Sequence, residues 1–305
     1  VLFNDDGDVI DVNGPIVEVI RLFEKENWQK MGQAIRQSNA LKRIDLFNCR
    51  LGDEVIGALF GGEWSPCNCV LEELILQDNG MGPNDITDLF SFLKSRSLFG
   101  VLDLTDNLLG DEGARLISDV LNHVHIKSLL LGTNSIGDEG VESLLSAEHS
   151  TNLVHLNLSA NRLGRRGVDA ISRFLGRDDI KLESLGVSCL DRECAKVLIG
   201  SISKKSKLNN FVFWERANNI DEEQVRLVVP SLKKLVCNVS SFESLCHSNH
   251  HLWSLGIYSN MILDSDPTLK EAFQINKRAK SYNDGDGASV IKRLRHKLRT
   301  FYFRG

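Results

Sequence analysis

The sequence has no apolar run of the ~18–20 residues that a membrane-spanning helix needs. Basic residues are not in excess: 36 Lys and Arg stand against 41 Asp and Glu, and the net charge of −5 argues against general nucleic-acid affinity. Seven cysteines, an odd number without the close pairing of a small disulfide scaffold, suit a reducing compartment. Chemistry-bearing motifs are missing as well. Cys67 and Cys69 are too close for a zinc-type pair, and Cys246, His247, His250 and His251 lack two further ligands in register. Asp5, Asp6, Asp8, Asp11 and Asn13 lack the spacing and the closing Glu of a calcium loop. With no Ser/His/Asp arrangement and no phosphate loop, an independent enzyme is not expected, nor is a cofactor or a metal.

What the sequence has is one pattern written four times. Taking the first apolar residue of each copy as offset 0, apolar residues recur at offsets 3, 5 and 10, Asn at 8 and Gly at 11. The copies begin at Leu71, Phe99, Ile126 and Leu153, spaced 28, 27 and 27 residues apart, and their Asn residues are Asn79, Asn107, Asn134 and Asn161. Apolar residues at offsets 3 and 5 alternating with more polar ones have the period of a short strand buried on one face. Asn, which both donates and accepts, can satisfy loop backbone groups shut between stacked coils. A helix-period run follows each Gly, with Asp111-Glu112 and Asp138-Glu139 where the helices begin, the end of the macrodipole that favours acids. No such unit buries its apolar side alone, so the units are expected to stack.

In chain order, residues 1–16 read as an acidic tail or incoming loop, and 17–266 as a solenoid of about ten units. Val17, Ile20 and Leu22 keep the strand offsets, but Lys25 replaces the Asn, which suits a degenerate N-terminal cap continued by a helix from Trp28 to Ser38. The first full unit starts at Leu41 and has Cys49 at the Asn position. Beyond Gly164 the pattern decays. Strands are expected at Leu182–Val187, at Leu208–Phe213 and at Leu232–Cys237, before Leu252, Leu255, Ile257 and Asn260 restore the signature. Residues 267–305 read as a basic helical segment, with helices at Leu269–Ala279 and Ser289–Phe303, that caps the last repeat. Beginning on Val1 rather than Met, the chain is read as a fragment or trimmed form, which leaves room for a targeting segment. Two glycosylation-type triplets, at Asn157 and Asn238, are weak signals, and a cytoplasmic or nuclear location is expected.

These residues resemble the ribonuclease-inhibitor-like subfamily of leucine-rich-repeat proteins, with Asn107 to Gly113 and Asn134 to Gly140 matching its loop-to-helix passage closely. The resemblance covers about Val17 to Ile262. It implies an α/β solenoid, a right-handed horseshoe with a parallel sheet on the concave face and helices on the convex face. It also implies a protein partner bound on the concave sheet.

Residues at offsets 2, 4, 6 and 7 should line that face or its loop edge. The candidate binding residues are Asp45, Phe47, Ile75, Asp78, Asp103, Asp106, Trp214, Glu215 and Tyr258, acids with apolar anchors among them. The expected partner is a protein with a basic, partly apolar surface. The structural ladder is expected at Cys49, Asn79, Asn107, Asn134, Asn161 and Asn260. A second reading comes from Ran-type GTPase activators, which are built from similar repeats; Arg165 or Arg166 would then stabilise transition-state charge.

Overall fold

The two-residue alternation at offsets 3 and 5 of each copy, followed by a loop and a helical run, produces a strand, a loop and a helix in turn. In the computed structural model the residues described are 25–38, 41–49, 51–62, 71–188, 192–202, 207–212, 222–236 and 266–280. The chain divides into two compact units, Val1–Arg162 and Leu163–Gly305.

In the N-terminal unit, helix α1 (Lys25–Gln37) precedes β1 (Arg43–Asp45) and α2 (Asp53–Phe60). Next come β2 (Glu73–Ile75), α3 (Thr87–Lys94, entered through a short 3-10 turn), β3 (Leu98–Asp103) and α4 (Gly110–Leu121). Strand β4 (His125–Leu130), α5 (Asp138–Ser146) and β5 (His155–Leu158) complete the unit. Each strand pairs parallel with its neighbour in sequence. Ile44, Leu74, Leu102, Leu129 and Leu156 form one row, and Asp45, Ile75, Asp103, Leu130 and Asn157 the next. Parallel neighbours need a crossover, and the helices supply it.

The apolar offsets form the core. Leu71, Leu74 and Leu76, and likewise Phe99, Leu102 and Leu104, are fully buried. The helices add Ile56, Leu59 and Phe60, then Leu89, Phe92 and Leu93, then Ile117, Val120 and Leu121. Phe92 stacks at a tilt on Phe60 with ring centres 5.3 Å apart and meets Phe99 edge-on at 6.2 Å. Burying one Leu or Phe side chain is worth about 1.5–3 kcal/mol, so most of the unit's stability rests on these layers. Gly113 and Gly140 mark where each helix starts tight against the loop of its own repeat. A Cβ on Gly113 would meet the Leu109 Cβ at 2.6 Å, and one on Gly140 would meet Ile136 Cγ2 at 2.7 Å.

The C-terminal unit has α6 (Arg165–Leu175), β6 (Ser184–Val187), α7 (Arg192–Ser201) and β7 (Asn210–Val212), with β6 and β7 parallel. Helices α8 (Glu222–Val236) and α9 (Pro267–Lys280) follow. Offsets 0, 3 and 5 of its first repeat, Leu182, Leu185 and Val187, are buried as expected. The strand expected from Leu232 is instead part of α8. Leu232 and Leu235 are three apart, a spacing shared by the strand signature and by a helix stripe. Buried Val229, Leu232 and Val236 show that the helical period wins here. Helix α9 matches the expected Leu269–Ala279 run; Pro267 opens it, and the Leu269 N–H donates to Asp266 Oδ1 at 2.9 Å. The N-terminal tail, the repeat beginning at Leu252 and the Ser289–Phe303 segment lie outside the described residues.

Candidate protein-binding face

The site is built on the Asn ladder, which sets where each strand ends. Asn107 is 4% exposed. Its Oδ1 accepts the N–H groups of Asn79 (3.2 Å) and Met81 (2.9 Å) in the preceding repeat. Its Nδ2 donates to the carbonyls of Leu76 (3.0 Å) and Leu104 (2.9 Å), one in each repeat. Asn79 does the same for Cys49 and Leu51, and Asn161 for Asn134 and Ile136. Asn134, fully buried, accepts from Leu109 and donates to the Leu104 carbonyl. One amide therefore closes the loop before it and pins the strand end beside it. Cys49 takes the same place without an amide: burial pushes its thiol pKa up to about 11, and the thiol donates to the Phe47 carbonyl at 3.5 Å. Asn260 lies outside the described residues.

The residue just before each rung turns the chain. Asn48, Asp78, Asp106, Thr133 and Ala160, all at offset 7, have φ between 52° and 58°. Asn and Asp tolerate this left-handed region better than other non-Gly residues. Asp78 and Asp106 thus have a conformational reason to be there as well as a charge. The repeating column of Asn and Asp was the signal for this turn in the sequence.

Offsets 2, 4 and 6 form the face opposite the buried leucines. Arg43 is exposed and reaches both Asp45 (2.8 Å) and Glu73 (3.0 Å). The Arg43 guanidinium pKa is raised, chiefly by the hydrogen bond to Asp45 and then by that to Glu73. Asp103, at 8% exposure, is the most enclosed of the candidate acids; its Oδ1 accepts the Thr105 N–H at 2.9 Å. Phe47 is 48% exposed, while Ile75, Val101 and Leu130 are half-buried. Asp45, Ile75 and Asp103 are brought into one row, with Phe47, Asp78 and Asp106 along the loop edge of the same three strands. Trp214, Glu215 and Tyr258 lie outside the described residues. Leu108, 65% exposed in the loop after Asn107, is a further apolar group at this edge; only its place between Asn107 and Leu109 marked it in the sequence.

Arg165 sits in the first turn of α6, where its Nε donates to Asp169 Oδ1 at 3.1 Å. Among the described residues there is no group of three or more His, Cys, Asp or Glu side chains placed to hold a metal ion, and no described helix is long and apolar enough to cross a membrane.

Comparison with known proteins agrees with the repeat fold. A family model described as Leucine Rich repeat matches residues 101–118, 122–145 and 149–172. Over 120 residues the chain is 32% identical to the ribonuclease inhibitor of Sus scrofa, a stretch covering 37% of this chain and 26% of that protein. Over 56 residues it is 43% identical to the protein phosphatase 1 regulatory subunit 37 homolog of Caenorhabditis elegans, covering 18% of this chain and 6% of that protein. The matched stretches span well under half the length of either relative.

Proposed function

Because the chain is a leucine-rich-repeat protein of the ribonuclease-inhibitor-like type, we propose that it is a non-catalytic scaffold that binds a protein partner on the sheet face of its N-terminal unit. The observation that carries this reading is the row Asp45–Ile75–Asp103–Leu130, where acids alternate with aliphatic side chains on the face away from the core. Phe47 stands exposed beside it. A monomer gains nothing from holding Phe47 in water, whereas an interface gains an aromatic anchor ringed by charge.

The partner surface that fits is basic and partly apolar. Among the described residues, no nucleophile, base and orienting group converge on this face. Both relatives carry names that refer to another protein, one as a regulatory subunit of a phosphatase and one as an inhibitor of a ribonuclease, which supports a binding role. Buried Cys49 and Cys194, neither of them in a disulfide, suit a cytoplasmic or nuclear setting.

The test is a comparative capture with three forms of the whole chain, read by mass spectrometry. They are the natural form, a face variant (Phe47→Ala with Ile75→Thr) and an outer-helix variant (Glu112→Ala with Arg115→Ala). The expected result is a set of proteins retained by the natural form and the helix variant but lost by the face variant. Equal capture by all three, or loss confined to the helix variant, would overturn the proposal.

A further inference from the structure

The strand register arranges the face in diagonals. Phe47 lies opposite Gln77, Ile75 lies between Asp45 and Asp103, and Val101 lies beside Glu73. Moving one strand over and two residues back therefore leads from Phe47 to Ile75 and from Ile75 to Val101. With strands ~4.8 Å apart and two residues rising ~6.6 Å, each step is ~8 Å and the apolar diagonal is ~16 Å long. Two polar diagonals run alongside, Asp45–Glu73 on one side and Gln77–Asp103–Ser128 on the other, each ~4 Å away by the same spacings. The pattern is a narrow apolar stripe between two polar borders that carry Asp45, Glu73 and Asp103.

On the reading that this face binds a protein, we propose that the occupant over β1–β3 is a single amphipathic helix of about three turns, with one apolar stripe bordered on both sides by Lys or Arg. A helix of about 11 residues is ~16 Å long and ~10–12 Å across, so it covers the stripe and both borders at once. An extended segment is too narrow to do so. It would also need backbone partners, and the sheet has none to give on its face. The Leu46 N–H already donates to Ile75, Leu76 to Asp103 and Leu104 to Leu130. A helix brings its own backbone hydrogen bonds.

Charge selects the flanks. On these three strands Asp45, Glu73 and Asp103 face one cation, Arg43, which already bridges the first two. Asp78 and Asp106 add negative charge at the loop edge, so a basic border is attracted and an acidic one repelled.

Three synthetic peptides of about 18 residues, fluorescently labelled and titrated with the whole chain, test the proposal. One is a Leu/Lys amphipathic helix, one has Glu in place of every Lys, and one keeps the Leu/Lys composition but carries central prolines that forbid a helix. The Leu/Lys helix should bind saturably and the other two at least ~10-fold more weakly. Phe47→Ala and Ile75→Thr, each confirmed folded by circular dichroism, should each weaken binding of the helix by ~10-fold, the effect of losing an anchor. If the proline peptide binds as tightly and with the same dependence on Phe47 and Ile75, the helix is wrong and the face reading stands. If the Leu/Lys helix does not bind, or binds without regard to either residue, the proposal fails. Independence from both residues, together with equal capture by the face variant above, removes the face reading too.

Discussion

Asp111 and Gly140 are joined across a repeat boundary. The Asp111 carboxylate, in the first turn of α4, accepts the Gly140 N–H at 3.0 Å and the Gly137 N–H at 2.6 Å, both at the start of α5. The acid thus serves the helix of the following repeat, satisfying two of its unpaired first-turn donors. Gly140 lets it come that near, since a Cβ there would lie 2.6 Å from Asp111 Oδ1.

Replacing Asp111 by Ala should therefore cost about 1 kcal/mol, as loss of an N-cap does. Gly140→Ala should cost more, about 1–3 kcal/mol, because the added methyl also overlaps Ile136 and Ala114. Urea unfolding of the two variants and of the double variant measures both effects. Additive losses would show that the contact is unimportant to either.

Asn107→Ala should be among the most damaging single changes in the N-terminal unit. It strands the Asn79 and Met81 N–H groups in a buried loop. Leaving buried donors unsatisfied costs about 1–3 kcal/mol each. Exposed Asn122, whose Oδ1 accepts from Glu148, is the control, and its Ala variant should lose about 1 kcal/mol or less. Equal losses at the two positions would refute the special role of the rung.

Thr133 is the least comfortable of the offset-7 residues, a β-branched side chain held at φ 55°. Thr133→Asn should raise stability by about 0.5–1 kcal/mol, since Asn accepts that conformation more readily. Asp78→Val should do the reverse. Denaturation midpoints compare the three directly.

Asp78 and Asp106 can be neutralised without disturbing the turn, because Asn also tolerates their backbone. With a captured partner on a sensor surface, Asp78→Asn with Asp106→Asn should slow association severalfold and flatten its salt dependence, leaving dissociation nearly unchanged. Charges within the ~8 Å physiological Debye length act as one field on the approaching protein. A change confined to dissociation would contradict that role.

In the C-terminal unit, burial opposes the charged form of Asp266. The Leu269 N–H, the Lys233 ammonium at 2.9 Å and the Thr268 N–H outweigh burial, so its pKa lies below the ordinary value. A lowered folded pKa means stability present above the unfolded value and lost as pH falls through the folded one. The tie between α8 and α9 should thus weaken below about pH 4. Asp266→Asn, which keeps the cap but loses the ion pair, should flatten that acid limb in melts run from pH 5 to pH 2. An unchanged limb would assign it to other groups.

The register was legible because its signals are local. Leu71, Leu74 and Leu76 announce a half-buried strand, and an Asn at a fixed distance beyond can only be a loop rung. Leu232 was misread for the same local reason, since a three-residue spacing is common to strand signature and helix stripe. What the sequence hid depends on neighbours. Asp111 looked like a helix-dipole acid of its own repeat, and its reach to Gly137 exists only once two repeats are stacked. The face was legible as a list of positions. Its diagonals were not, because they follow from the pairing of Phe47 with Gln77 and of Glu73 with Val101.

The ladder has a direction. Each described Asn side chain in it, from Asn79 to Asn161, reaches back to the loop of the repeat before, so a nascent repeat stays unfinished until the rung of the next one has left the ribosome. With copies 27 or 28 residues apart, and synthesis at ~5–20 residues per second, that wait is about 1–6 s. Through each such interval the newest loop holds open amides beside a freshly made sheet edge. The chain therefore matures one repeat behind its own synthesis, and the trailing edge is where a chaperone or a wrong partner strand would compete.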